Sequence, residues 1–170
     1  DWSTLSTTGL ALAQMDIGSA VDFHADGQVA LDVASGGLVA RSDFDMGIGQ
    51  VSTTAPSNGV EFEDADAVSI ELTRAQVFVG WGGSLSDNTA NANVVNGSVG
   101  FAGTVDSVKL VSIRDLNGTP RLLSDDHSYL GVQVSGLNAD LIGMDPVIEF
   151  HAANVNVDVN KATNDGWTPL

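Results

Sequence analysis

The stretch "RDLNGTPRLLSDDHSY" holds the densest set of oxygen ligands in the chain. Asp115, Asn117 and Gly118 follow the D-x-N-G order of a tight ligand loop, and Asp125 and Asp126 come soon after. Calcium takes about six to eight oxygens, so these side chains with nearby carbonyls form a candidate calcium set. No Glu closes the loop as an EF-hand requires. Asx-turns use the same residue types to bond backbone, so a plain loop accounts for the pattern equally. A second carboxylate pair, Glu61 and Glu63, sits two apart on one strand face and could approach the roughly 5 Å separation of a retaining glycosidase. Alternation in an acidic chain produces such pairs without catalysis. Asp43 and Asp45 form another same-face pair, read as solvated. His24, His127 and His151 lack metal-ligand spacing, which leaves zinc without support. Trp81 and Trp167 are the candidate platforms for stacking a sugar. No nucleophile elbow, P-loop or dinucleotide fingerprint occurs, so no catalytic residue is assigned and an enzyme is not expected.

The elements that must position these residues read almost entirely as strands. In "VEFEDADAVSIEL", Val60, Phe62, Val68, Ile70 and Leu72 hold even positions, while Glu61, Glu63, Ser69 and Glu71 hold odd ones. That is period-two alternation with one dry and one wet face. Asp64 and Asp66 break the dry parity and place a turn or strand end between them. "LALAQM" (10–15) is too short for more than a helical turn or another strand.

Four segments share an unusual slip. Val68, Ile70 and Leu72 give way to Ala75, Val77, Val79 and Trp81; Val99, Phe101 and Val105 give way to Val108 and Leu110. Leu130, Val132 and Val134 are followed by Leu137, Ala139 and Leu141, and Ile148, Phe150 and Ala152 by Val155, Val157 and Val159. An odd offset turns side chains to the opposite face, so each segment must be bulged, sharply bent or folded over a tight turn. "VDFHADGQVALDV" (21–33) shares acid-Phe-His-Ala with "IEFHAANVNVDV" but keeps one parity throughout. The expected fold is therefore all-β: stacked, kinked antiparallel strands or hairpins in a sandwich, prism or solenoid-like layer.

Charge narrows the partners. With 22 acidic against 6 basic side chains and a net charge of −16, nucleic acid and anionic membrane surfaces are excluded as natural partners, and cations are favoured. No cysteine is present, so neither a disulfide framework nor a thiol site exists. No apolar run long enough to span a membrane occurs, and membrane insertion is not expected. The 170 residues suit one domain. Regular Thr-x-Thr ladders, which ice binding would need, are missing.

The phrase W-[ST]-x-L occurs at both ends, as "WSTL" and "WTPL". It suggests that residues 1–170 are about one full repeat plus the start of the next, cut from a longer array. "AVSIELTRAQVFVGWGGSLSD", "NGSVGFAGTVDSVKLVSI" and "YLGVQVSGLNADLIGMDPVIEFHAANVNVDVNKATN" resemble the long Gly- and Asp-rich tandem repeats of giant, adhesin-like secreted or surface proteins of Gram-negative bacteria. The resemblance implies an extracellular structural or adhesive unit without an active site, contacting neighbouring repeats and a cell-surface or polysaccharide ligand. The G-G-x-G-x-D nonapeptide of RTX repeats is absent, so calcium rolls are not implied. A carbohydrate-binding module using Trp81 or Trp167 is the alternative, with a glycoside hydrolase behind it.

Overall fold

The computed structural model describes residues 18–53, 63–116 and 126–164. All regular structure among them is β: β1 (Val21–Val33), β2 (Leu38–Val51), β3 (Ala65–Trp81), β4 (Ser84–Leu85), β5 (Val94–Val95), β6 (Val99–Asp115), β7 (His127–Ile142) and β8 (His151–Asn164). Six long strands pair antiparallel in the order β1-β2-β3-β6-β7-β8, and β4 and β5 form a separate two-stranded hairpin. The expected all-β, antiparallel class is what the chain adopts. Of the layered arrangements expected, the described residues build one layer. "LALAQM" and the W-[ST]-x-L phrases lie outside them.

Chain order equals strand order in the large sheet, so each connection joins neighbours. Between β1 and β2, Ala34, Ser35 and Gly36 all take positive φ. The Asp32 carboxylate accepts the Gly36 N–H at 2.8 Å, an Asx-type closure of the turn. A Cβ on Gly36 would run into the Gly83 carbonyl, so only glycine lets the β3–β4 connection lie against this hairpin. Asp64 also takes positive φ, and β3 begins immediately after it, as the broken parity in that stretch implied.

The four parity slips are bulges and bends inside continuous strands. Arg74, Gly136 and Asn154, one in each of β3, β7 and β8, have φ of 54, 66 and 52°. Against the unslipped β2, β3 carries one extra residue between the pairs Arg41–Gln76 and Asp43–Thr73. Strands β3, β6 and β7 slip together, so their mutual registers pass the kink unshifted. The β7–β8 register shifts on both sides of Leu137. The kinks therefore line up across the sheet at Arg74, Asp106, Gly136 and Asn154, with Ser42 of the straight β2 opposite the first of them.

A bulge strands backbone groups that the ladder no longer pairs, and side chains recover them. The Ser42 hydroxyl, 7% exposed, lies 2.7 Å from the Asp43 carbonyl and 3.3 Å from that of Thr73. Asn156 Oδ1 accepts the Gly136 N–H and Asn138 Oδ1 accepts the Asn154 N–H, both at 3.0 Å. The Asn138 amide in turn donates to the Gly136 carbonyl at 3.0 Å. This is the use of the Asn-rich sequence around β7 and β8.

Full burial is rare. Val39, Phe78 and Ala92 are 0% exposed, and they meet where residues 82–98 fold back over the sheet. The Val94 N–H donates to Gln76 Oε1 at 3.0 Å, and Gly80 and Gly83 donate to the carbonyls of Gly37 and Gly36, tying this excursion down.

Candidate functional site

Strand pairing fixes which residues share a face, because directly opposed residues in an antiparallel ladder project to the same side. Along β1 and β2 the pairs Phe23–Ile48, Ala25–Met46, Leu31–Ala40 and Val33–Leu38 run in one unbroken parity. Across β2 and β3, Ile48, Met46 and Phe44 oppose Val68, Ile70 and Leu72, and beyond the bulge Ala40 and Leu38 oppose Val77 and Val79. The slip thus keeps most of the large apolar residues on one side, with Val39, Phe78, Val111 and Ile113 on the other, where an unkinked strand would have turned half of its apolar set away. The same holds through Leu110–Val132 and Phe101–Leu141 to Val132–Val159 and Val134–Val157.

This six-stranded apolar face is uncovered by any described residue. Leu31 is 47% exposed, Val79 51% and Phe101 53%, and the Phe101 and Phe150 rings meet edge to face at 6.3 Å. Water contacts a continuous hydrocarbon surface far larger than the scattered apolar patches of ordinary monomers.

The opposite face carries the charge. Asp26, Asp45, Glu71, Lys109, Gln133 and Asp158 are successive cross-strand partners spanning all six strands. Three carboxylates thus stand side by side before the first cation, an arrangement that like-charge repulsion disfavours. Lys109 reaches Glu71 at 3.4 Å, His24 reaches Asp45 at 3.2 Å, and Gln133 donates to Asp158 at 3.1 Å. His151 meets its directly opposed Asp140 at 2.7 Å. That hydrogen bond raises the His151 pKa above its ordinary value against a smaller opposing effect of desolvation. As their parity with Phe23 and Phe150 implied, both edge histidines stand on the polar face.

Asp43 departs from expectation. Read as a solvated neighbour of Asp45, it is largely buried, with its side chain 16% exposed. Arg41 Nη2 reaches its Oδ1 at 3.1 Å, and Arg74 Nε donates to Oδ2 at 2.6 Å with Nη2 closing the same contact. The Arg74 hydrogen bond is the main cause holding the Asp43 carboxyl below its ordinary pKa. The bulge explains the difference: the positive φ of Arg74 brings a guanidinium onto a strand position that simple alternation leaves open.

The candidate ligand loop is only partly described, since Asn117, Gly118 and Asp125 lie outside the described residues. Asp115 closes β6 opposite His127. Asp126, 0% exposed, receives Arg114 Nη2 at 2.7 Å, so an arginine occupies one oxygen of the carboxylate expected to ligate. No group of three or more His, Cys, Asp or Glu residues among the described residues is placed to hold a metal ion. Glu61 lies outside the described residues, and Glu63 is exposed just before β3. A polar cleft of about 220 Å³ beside the 82–98 excursion is lined by Gln76, Thr104, Asn138 and Asp140, amide and hydroxyl groups beside the carboxylate that pairs with His151.

Trp81 is 78% exposed and opposes Val99 at the end of the apolar face. A stacking platform for sugar needs hydrogen-bonding groups around the ring; the Trp81 carbonyl accepts the Ser98 N–H at 2.9 Å, with the Ser98 hydroxyl at 3.5 Å. Trp167 lies outside the described residues.

Sequence reading gives the strands a dry and a wet face and anticipates exposed edge strands, but it does not say that the dry faces join across six strands or which strands are the edges. Among the described residues, β1 and β8, of 13 and 14 residues, each pair on one side only. Natural edges are shortened, bulged, capped by proline or studded with lysine. β1 contains neither lysine nor proline, and β8 has the single cation Lys161. Among the described residues no helix is long and apolar enough to cross a membrane. No family model, no curated protein and no solved structure matches the chain.

Proposed function

We propose that this chain is a structural unit of a long extracellular bacterial protein of the adhesin-like kind, acting as an extended stalk or surface-contact module by edge-to-edge addition of like units. The observation that supports it is the pair of long edge strands, 13 and 14 residues, on one six-stranded meander. An even number of strands makes β1 and β8 run in opposite directions. A following unit entered through its β1 therefore lies antiparallel to β8 and extends the sheet in the same alternating sense. The acidic face gives each unit a surface that repels its counterparts, which favours extension and solubility, and divalent cations would moderate that repulsion.

Chains of one, two and three fused copies test this by small-angle scattering and thermal unfolding. Sheet continuation lengthens the particle by about 29 Å per copy, six strands at about 4.8 Å. It also raises the unfolding midpoint with copy number, because each junction adds a nearest-neighbour interface. Copies that unfold at the single-copy midpoint, with dimensions growing as a flexible string, would sink the proposal.

A further inference from the structure

We infer that the apolar face is an interface between two copies of this chain, packed sheet on sheet as a two-layer sandwich. The inference goes beyond the array reading and does not depend on it, since it uses the face and not the edges. Six strands spaced about 4.8 Å apart and 13 to 17 residues long at about 3.3 Å per residue give a face of roughly 1,200–1,600 Å². Two such faces bury roughly 2,500–3,200 Å² together, which lies in the range of permanent homodimers. The longest stretch outside the described residues, 1–17, is 17 residues. Even fully extended, it would cover one strand's width, about a sixth of that surface.

Charge placement favours a second copy as the occupant. The row from Asp26 to Asp158 lies on the far side, so two copies meet without bringing their acidic residues together. The charged residues sharing the apolar parity, Asp66, Arg114 and Lys161, gather toward one end, where Asp66 directly opposes Arg114. A two-fold axis through the centre of the face, near Ile70 and Leu110, sets each apolar strand against its symmetry mate. Such a contact is self-complementary and closed, which gives a dimer and not a fibre. Sheets packed this way stand about 10 Å apart with strands roughly 30° from parallel.

Sedimentation equilibrium of the full chain is expected to give twice the 17.5 kDa monomer mass. L31D and F101D together should weaken association by at least about 100-fold, since each sets an unpaired carboxylate into the buried apolar contact, while the far-UV strand signal persists. Because charge substitutions risk the fold, a second arm uses the absence of cysteine. In separate variants, L110C should cross-link copies through a short bis-maleimide, and Q133C, on the polar face, should not. A monomer at all concentrations, an open-ended series of aggregates, or cross-linking at Q133C alone would overturn the inference. So would partition of the wild-type chain onto phosphatidylcholine vesicles that F101D abolishes, which would make the occupant a lipid surface.

Discussion

Replacing Phe78 and Phe101 by alanine, one at a time, separates the two faces of the sheet. Phe78 is 0% exposed beneath residues 82–98, whereas Phe101 is 53% exposed on the apolar face. Phe78→Ala removes a buried ring and leaves a closed cavity, a loss of about 3–5 kcal/mol. For a domain of this size that is a fall in midpoint of roughly 6–20 °C. In a dilute, monomeric sample Phe101→Ala forfeits part of one ring's transfer energy and its edge contact with Phe150, about 1–2 kcal/mol. Thermal and urea unfolding at low protein concentration read both values. As concentration rises and the faces associate, the Phe101 loss should grow while the Phe78 loss stays fixed. Equal losses at the two sites in the dilute sample would refute the assignment of Phe78 to a covered core. A Phe101 loss that ignores concentration would refute burial of the apolar face.

Three further outcomes follow from the bulge line and the ion pairs. Gly136→Ala places a Cβ against the Asp106 carboxylate in a residue of positive φ, and urea denaturation should show a loss of about 1–3 kcal/mol. The raised pKa of His151 means its pairing with Asp140 stabilises the fold fully below about pH 6.5 and ceases to do so as pH rises through the raised value. Asp140→Asn should lower the His151 titration midpoint by NMR and remove that pH dependence; an unmoved midpoint would exclude the pairing. Asp43 has the opposite sign: its depressed pKa gives stability present above its ordinary 3.8 and lost as pH falls through the depressed value. Arg74→Ala should therefore shift acid unfolding to higher pH, and an identical acid transition would count against the Arg74–Asp43 contact.

The fold was legible wherever a face is uniformly apolar. Alternation located β3, β6, β7 and β8, and the odd offsets located their kinks within a residue or two. Alternation cannot distinguish a bulge from a turn, because both can consume an odd number of residues; Arg74, Gly136 and Asn154 decide it through backbone torsion, which Gly136 and, less strongly, Asn154 advertise by residue type and Arg74 does not. Phe78 was hidden differently. It sits on the polar parity between Val77 and Val79, and its burial depends on the Gly-rich excursion at 82–98, whose path no periodicity specifies. For the candidate ligands, Asp126 illustrates the limit of spacing: it stands near other oxygens in sequence but is engaged by an arginine one strand away. Sequence reading anticipates edge strands without assigning them, since any strand becomes an edge by what fails to pair with it.

The distribution of kinks has a geometric consequence for any sheet built by adding copies at the edges. Two straight strands, β1 and β2, are followed by four bent ones. Where β2 meets β3, a straight strand already lies beside a bent one at the cost of a single register shift, and the β8-to-β1 seam of adjoining copies would repeat that mismatch in reverse. An extended ribbon of such copies would then be corrugated, flat and creased by turns, with a wavelength of about 29 Å set by six strand widths. Each crease would also act as a phase mark, since sliding a strand by two residues preserves its alternation but carries its bend out of line with its neighbours.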